Sequence, residues 1–408
     1  MNKKWSRKLM IADALVLVLL VVPLVYAATE APAGFDDLTN GFATQAQFDL
    51  DRGVFDEFEV IDDGLGPVYN AQACRECHQN PVSGATSQIT ELRAARTDGF
   101  FYFDRPGGSL INDRAIHPNI QERVAGEDNL LTFRTSLNTL GDGFVEAIAD
   151  ATFTTIRNSQ PSGMKGQIIS VPVLESPGVS RVARFGWKNQ HASLLSFSAD
   201  AYLNEMGITS PLQPTENTSN GASVAAYDTV PDPEEAPVTG MPFGPDVEAF
   251  ARFMRSSKVP PRDTALAATA DSIAGSNLFT SIGCSHCHRT SITTAPVGTV
   301  VNGTGAGKLT ITAALGDKII HPYSDFMLHD VGTGDNIIQN GGSSTLTKLR
   351  TPPLWGLRTR SRFMHDGENV TRNNAILRHT NEAEPVIQNY INLSTTQKNQ
   401  LITFLNSL

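Results

Sequence analysis

Two short motifs of cysteine and histidine carry the clearest chemistry in the sequence. Residues 74–78 read Cys-Arg-Glu-Cys-His and residues 284–288 read Cys-Ser-His-Cys-His. In C-x-x-C-H spacing, two thiols reach the two vinyl groups of one porphyrin, and the following imidazole ligates its iron. The motifs use all four cysteines of the chain. We therefore predict two covalently bound c-type haems, attached through Cys74, Cys77, Cys284 and Cys287, with His78 and His288 as iron ligands.

A zinc site is the alternative interpretation, because C-x-x-C is also zinc spacing and His286 offers an extra ligand. Two features favour haem. The histidine directly follows the second cysteine in both motifs, and a signal for export precedes them.

That signal occupies residues 1–27. A basic start is followed by an apolar run over residues 9–25, broken only by Asp13, and residues 25–27 form a small-x-small cleavage pattern. An uncleaved anchor is the alternative, since the run is near the lower length limit for crossing a bilayer. Membrane contact is expected only in that second case. Both interpretations predict an exported, periplasmic protein.

Composition limits the partners. The 408 residues carry a formal net charge of −10, so nucleic acid is not an expected partner. An acidic surface would steer a basic partner such as a small electron-carrier protein, although solubility alone explains the charge equally well.

The halves of the chain differ in regularity. Residues 214–240 are polar, acidic and proline-rich, which indicates a linker or a long surface loop. One motif lies on each side, so we predict an N-terminal haem domain over residues 28–213 and a C-terminal cytochrome c domain over residues 241–408. The expected fold is mainly α, with two cytochrome c-like haem domains, long loops and a more regular second domain.

The second domain has clear helical patterns. Apolar residues recur at helical spacing from Gly275 to Ile282, just before the second motif, and again from Leu401 to Leu408. Residues 394–397 form a capping box at the start of the last helix.

His379 is a candidate for the second axial position of the C-terminal iron. A short helix capped by Thr371 would place His379 on one face with Ala375 and Ile376. A buried structural histidine is the alternative.

Further motifs resemble a known family. Thr-Pro-Pro-Leu at 351–354, Met-His-Asp-Gly at 364–367 and Asn-Ala-Ile at 374–376 resemble the C-terminal domain of bacterial di-haem cytochrome c peroxidases. The distal ligand of that family, usually methionine, corresponds to His379. The resemblance therefore implies a bis-histidine haem of lower potential.

A second resemblance concerns Phe-Gly-Trp at 185–187 and Asn-Glu-Met-Gly at 204–207. It implies that Trp187 is an electron bridge between the haems and that Glu205 is the distal acid/base. Blocks at 107–114, 140–144, 185–209 and 324–330 are similar to the broader di-haem oxidoreductase family, some members of which are labelled thiol oxidoreductases. The resemblance covers most of residues 50–408. It implies a peroxidase-like enzyme that takes electrons from a small cytochrome or cupredoxin and reduces hydrogen peroxide or another small substrate.

Glu205 suits this chemistry. A carboxylate beside the iron can take a proton from one peroxide oxygen and return it to the other, and burial would raise its pKa for both tasks. A glutamate on a helix surface is the alternative.

The sixth ligand of the N-terminal iron stays open between His117, His191, Met206 and no protein ligand. The resemblance favours a removable histidine in the interval that holds His117. The family also holds calcium through carbonyls at positions where this chain has Arg360 and Arg362. Calcium is therefore doubtful, and these arginines are candidates to pair with haem propionates.

Two other functions fit the same motifs. One is a pure electron-transfer cytochrome, with both irons permanently six-coordinate. The other is a thiol or sulfur-compound oxidoreductase, which would need the haem itself as oxidant because no cysteine pair is left over.

Overall fold

The computed structural model describes residues 27–232 and 236–408. The predicted signal peptide falls outside the described residues except for Ala27. Within those residues, no helix combines the length and the apolar character needed to cross a membrane.

Helices and short strands alternate along the described chain. The helices are α1 Gln45–Asp56, α2 Cys74–Cys77, α3 Asp142–Glu146, α4 Asp150–Ser159, α5 Leu194–Ala201, α6 Pro245–Ser256, α7 Thr264–Ala267, α8 Ala270–Ser281, α9 Arg372–Leu377, α10 Glu384–Ile391 and α11 Thr395–Asn406. The strands are β1 Thr29–Glu30, β2 Val68–Tyr69, β3 Thr90–Thr97, β4 Tyr102–Phe103, β5 Leu110–Ile111, β6 Arg114–Ala115, β7 Leu130–Thr135, β8 Ser170–Pro172, β9 Ser180–Val182, β10 Ile292–Thr293, β11 Val300–Val301, β12 Leu309–Thr310, β13 Lys318–Ile320, β14 Leu328–His329 and β15 Leu349–Arg350.

The prediction of a mainly α fold was wrong. The structure is 32% helical and 15% strand, with several small sheets. The largest sheet pairs β3 with β4, β5 and β7. The sequence of β3 is rich in good helix formers, but long antiparallel pairing with β7 overrides that local preference.

The β3–β7 pair forms part of the wall of a large internal cavity. Its register runs from Thr90 opposite Thr135 to Ala95 opposite Leu130. Since side chains alternate along a strand, Glu91 and Arg93 share one face of β3. Both residues line the cavity.

One apolar core draws on both sides of the predicted linker. Phe55 of α1, Tyr202 and Phe250 of α6 pack together, and the same cluster includes Phe326 and Trp355 from the second half. The described part of the predicted linker folds back on the N-terminal half. There the Ser219 hydroxyl donates to the Ile120 carbonyl at 2.7 Å. The division into two domains stays a prediction.

The helices predicted for the second half are confirmed. Helix α8 leads into the second motif, and α11 begins at the predicted capping box, where the Ser394 hydroxyl accepts from the backbone N–H of Gln397. The two helices pack together through Phe279 and Phe404, whose ring centroids lie 5.3 Å apart. Cys284 and Cys287 pack against this cluster.

Candidate haem sites

The second motif follows α8 through a sharp turn at Gly283. The φ of this residue is +106°, a conformation that glycine adopts without strain, and a Cβ there would lie 3.1 Å from the His286 ring. The turn starts the Cys284–His286 3-10 helix and brings His288 beside Tyr323. Nδ1 of His288 lies 2.9 Å from the Tyr323 carbonyl oxygen, so that Nδ1–H can donate and Nε2 is left for a metal.

His379 faces His288 across a gap of suitable width for one iron. The ring centroids are 6.5 Å apart. Two imidazoles on opposite sides of one metal, each about 2 Å from it, have centroids roughly 6 Å apart. Nδ1 of His379 lies 2.9 Å from the Ala375 carbonyl, which also leaves its Nε2 for a metal. Helix α9 ends at Leu377, so His379 follows the helix rather than lying on it.

Burial keeps both imidazoles neutral. It lowers the pKa of His288 to about 4 and also lowers the pKa of His379. Neutral imidazole is the form that binds a metal. These residues therefore fit a bis-histidine haem.

A buried ionic group lies next to the second motif. Nδ1 of His329 is 3.7 Å from Sγ of Cys287 and 2.7 Å from a Glu382 oxygen, while its Nε2 is 2.9 Å from an Asp325 oxygen. Burial opposes protonation, but the two carboxylates hold the pKa of His329 well above its usual value. The two carboxylates therefore favour the imidazolium form of His329 beside the Cys287 sulfur.

The zinc interpretation has little geometric support. In the part of the chain that the structure describes, the ligand atoms close enough to hold one metal ion belong to Cys287, Asp325 and His329. Neither motif gathers its own two cysteines and histidine into such a group, as a zinc site of these residues would require.

The first motif forms the short helix α2, with His78 just after it. Nδ1 of His78 lies 3.2 Å from the Ala85 carbonyl, so the other ring nitrogen is again left for a metal. Burial lowers the pKa of His78 to about 4 and raises the pKa of the Cys74 and Cys77 thiols, in the latter case to about 12. Neutral thiols and a neutral imidazole suit covalent haem attachment better than thiolate chemistry.

A cavity of about 1150 Å³ adjoins the first motif, and Cys74, Cys77 and His78 lie in its wall. This volume is at the upper end of ligand sites and is large enough for a porphyrin. Arg350 also lines the cavity, and its Nε is buried and has no hydrogen-bond partner within the described residues. An unpaired buried guanidinium donor is what a propionate carboxylate would satisfy, so these residues fit a haem.

Glu205 lies in the same cavity wall. It sits in a single π-helical turn, Tyr202–Met206, which continues α5. Such turns are frequent at functional sites. Its backbone carbonyl accepts from the N–H groups of Asn70 and Ala71, just before the first motif, and its carboxyl accepts from the Asn70 amide at 2.9 Å. Burial and the nearby charge of Glu91 raise the pKa of Glu205 to about 8.

Glu91, Arg93, Asn70 and Arg350 are site residues that the sequence analysis missed. Nε of Arg93 donates to Glu91 Oε1 at 2.6 Å, and the Glu91 side chain is hydrogen-bonded to Glu205. No motif marks these residues. Alternation along β3 was the available signal for Glu91 and Arg93, and it could be used only once that segment was known to be a strand.

Trp187 connects the cavity to the second motif. Trp187 lines the cavity, its Nε1–H donates to the Thr135 carbonyl at 2.8 Å, and its own carbonyl accepts from the Arg350 N–H at 2.8 Å. Arg350 belongs to β15, which pairs with β14, the strand that carries His329. Trp187 is thus connected to His329, the neighbour of Cys287, through Arg350 and the β14–β15 strand pair.

The candidate sixth ligands of the N-terminal iron are placed differently. His117 is not among the residues that line the cavity; its ring packs on Tyr227, with 4.7 Å between centroids. His191 lines the cavity, but its Nε2 lies 3.1 Å from an oxygen of Asp200. Met206 lines the cavity directly after Glu205.

The arginines proposed for the propionates do not line this cavity. A guanidinium N–H of Arg360 donates to the Ser136 carbonyl at 2.8 Å, and Arg362 is exposed. Arg350 is the better placed guanidinium.

Solved structures similar to this chain are distant. A hydrazine synthase of Kuenenia stuttgartiensis, pressurised with 20 bar xenon, is 12% identical, with all of both chains covered and a TM-score of 0.42. A MauG-like protein associated with microbial copper homeostasis is 14% identical over 96% of this chain and 95% of its own, with a TM-score of 0.40. The diheme peroxidase BthA of Burkholderia thailandensis is 16% identical over 64% of this chain and 77% of its own, with a TM-score of 0.34.

Comparison with families is decisive, although no curated protein sequence matches the chain. A family model described as "Di-haem oxidoreductase, putative peroxidase" matches residues 110–408. The matched range contains the second motif, Trp187, Glu205 and His379, while the first motif precedes it. The chain therefore belongs to the di-haem oxidoreductase family of peroxidase-like enzymes.

Proposed function

We propose that this protein reduces hydrogen peroxide at an N-terminal c-type haem and receives electrons at a C-terminal one. One observation carries the proposal. Glu205, a carboxyl group with a pKa raised to about 8, lies in the wall of the 1150 Å³ cavity that Cys74, Cys77 and His78 also line. A carboxyl group that can both accept and donate a proton near neutral pH is what peroxide cleavage requires.

Residues of the two motifs and their neighbours would hold the haems. Cys74, Cys77 and His78 would attach and ligate one haem, whose propionate would meet Arg350. Cys284, Cys287, His288 and His379 would hold the other. When bound, the N-terminal haem would supply the iron that binds peroxide and the electrons that reduce it.

The protein's own contribution is proton transfer. Glu205 takes the proton from one peroxide oxygen and gives it to the other, which leaves as water when the O–O bond breaks. Asn70 holds the carboxyl in place through its 2.9 Å hydrogen bond. The overall reaction converts hydrogen peroxide, two electrons and two protons into two waters.

Electron supply is assigned to the second haem. His288 and His379 would both ligate the iron of that haem, which suits electron transfer because peroxide would then find no free position. Trp187, joined to β14 through Arg350, would relay electrons towards the cavity. A small cytochrome or cupredoxin is the proposed donor, and the acidic net charge of the chain favours a basic one. The N-terminal signal and the haem motifs support an exported, periplasmic location.

The test replaces Glu205. We expect Glu205→Gln to lower peroxide turnover by roughly 10²- to 10⁴-fold, the usual contribution of a positioned acid/base group, while both haems stay bound. Glu127→Gln is the matched control. Glu127 is exposed and lies outside the cavity, so this substitution removes the same charge without touching the site. The measurement is steady-state oxidation of a reduced small cytochrome by peroxide. Unchanged turnover in the Glu205 variant would remove its assigned role.

A further inference from the structure

We propose that Glu91 is a positioning residue that shares one proton with Glu205, so that the acid/base group of the cavity is a pair of carboxyl groups. This inference rests on the proposed function, since it assigns a partner to the group that would act on peroxide. No motif or family description identifies Glu91.

The contact between the two side chains is the first observation. The carboxyl groups of Glu91 and Glu205 are hydrogen-bonded to each other, and both line the cavity. Two ionised carboxylates have only acceptors, so a hydrogen bond between them requires a proton on one. The geometry therefore calls for one proton held by the pair.

The surrounding side chains decide which carboxyl keeps the charge. Arg93 follows two residues later on the same face of β3, and its Nε lies 2.6 Å from Glu91 Oε1. Burial would raise the pKa of Glu91, but the charges of Arg93 and Arg134 lower it below its ordinary value. Among the described residues Glu205 forms no such ion pair, and it receives a neutral amide hydrogen bond from Asn70. Glu91 is thus the anion and Glu205 the acid.

Other titratable groups surround the pair. They are Arg134 on β7 and Asp200 on α5, whose carboxylate is paired with His191. None of these groups hydrogen-bonds to Glu205, so Glu91 is the acidic partner in direct contact with it.

The sign of the effect follows from charge. The negative charge of Glu91 disfavours ionisation of Glu205, so its removal makes Glu205 a stronger acid. The part of the pH–rate profile that reflects ionisation of Glu205, here called the Glu205 limb, must then move to lower pH. The direction is the same whether the slow step needs the ionised or the protonated form.

The experiment uses the full-length protein with both haems and measures peroxide turnover against pH. We expect Glu91→Gln to move the Glu205 limb to lower pH by about one unit or more. Arg93→Gln should move it to higher pH, because Arg93 favours the ionised form of Glu205. Glu91→Asp should restore most of the original profile, and Glu127→Gln should leave it unchanged.

An infrared titration of the resting protein, without peroxide, gives a second readout. Protonated Glu205 should give a carboxyl C=O band that disappears as the pH rises. This band should be absent in Glu205→Gln and should disappear at lower pH in Glu91→Gln. This readout does not depend on turnover.

Two outcomes separate this inference from the proposed function. If Glu205→Gln is inactive but the Glu91→Gln and Arg93→Gln profiles overlay the original one, the shared proton is disproved and the role of Glu205 stands. If Glu205→Gln is fully active, the proposed function falls, and the shared proton falls with it.

Discussion

At the residue scale, the sequence identifies site residues that lie in one contiguous motif but not residues that meet only after folding. The haem motifs are contiguous, so their spacing alone predicts attachment at Cys74 and Cys284. The pairing of His288 with His379 needed the family resemblance, because nearly a hundred positions separate them. Glu91 could not be assigned at all, since its significance arises from contact with Glu205 on a distant element.

The proposed bis-histidine haem gives a residue-scale prediction. His379→Ala should change the spectrum of one haem from low spin to high spin, because removal of a strong axial ligand weakens the ligand field at iron. Electron paramagnetic resonance of the oxidised protein measures this change. His321→Ala is the control, since that histidine is exposed and pairs with Glu30 at the surface. Identical spectra for the His379 variant and the original protein would take His379 off the ligand list.

At the element scale, periodicity located helices well and strands poorly. The apolar repeats before the second motif and at the C-terminus predicted α8 and α11, because one helix face packing on a neighbour leaves a clear pattern. Strand β3 left no comparable signal. Its partner β7 lies on the far side of an intervening stretch that contains β4, β5 and β6, and such pairing is not encoded in local composition. The predicted helix content was too high because such long-range strand pairing cannot be recognised from the local sequence.

The packing of α11 on α8 gives an element-scale prediction. Phe404 is fully buried and contacts both Phe279 and Tyr323. Phe404→Ala should lower the free energy of unfolding by about 3–5 kcal/mol, because it removes buried surface and leaves a cavity. Denaturant titration of the mature protein measures the loss.

Asn399→Ala serves as the control for that substitution, because Asn399 is an exposed residue of the same helix. Its effect should stay within about 0.5 kcal/mol. Equal effects of the two substitutions would contradict the assigned core position of Phe404.

At the scale of the whole molecule, the two halves are joined more closely than their sequence suggests. The proline-rich composition of residues 214–240 predicts a linker, yet Phe250 and Phe326 belong to one apolar cluster that also contains Phe55. The first motif packs against this shared core through Cys74, whereas Cys284 and Cys287 pack against the separate cluster of α8 and α11. Trp187, bonded to Arg350 of the β14–β15 pair, links the two regions. Sequence could not show this, because shared cores depend on contacts between distant segments.

Covalent attachment of both haems is a prediction for the whole molecule. The denatured, correctly matured protein should retain the mass of two haems, since thioether bonds survive unfolding. Mass spectrometry measures this directly. Replacement of Cys74 and Cys77 by alanine should remove one haem and leave the other. A mass equal to that of the polypeptide alone would contradict both attachment sites.

The central claim is that peroxide reacts at the N-terminal iron while the C-terminal haem supplies electrons. The most direct measurement is electron paramagnetic resonance of the half-reduced protein before and after addition of hydrogen peroxide. In the half-reduced protein the electron-supplying C-terminal iron is ferrous and gives no signal. The account predicts that peroxide oxidises this iron, so that a bis-histidine low-spin ferric signal appears, and that Glu205→Gln slows this change. Two low-spin signals that ignore peroxide in every redox state would contradict it and would identify the protein as an electron-transfer cytochrome.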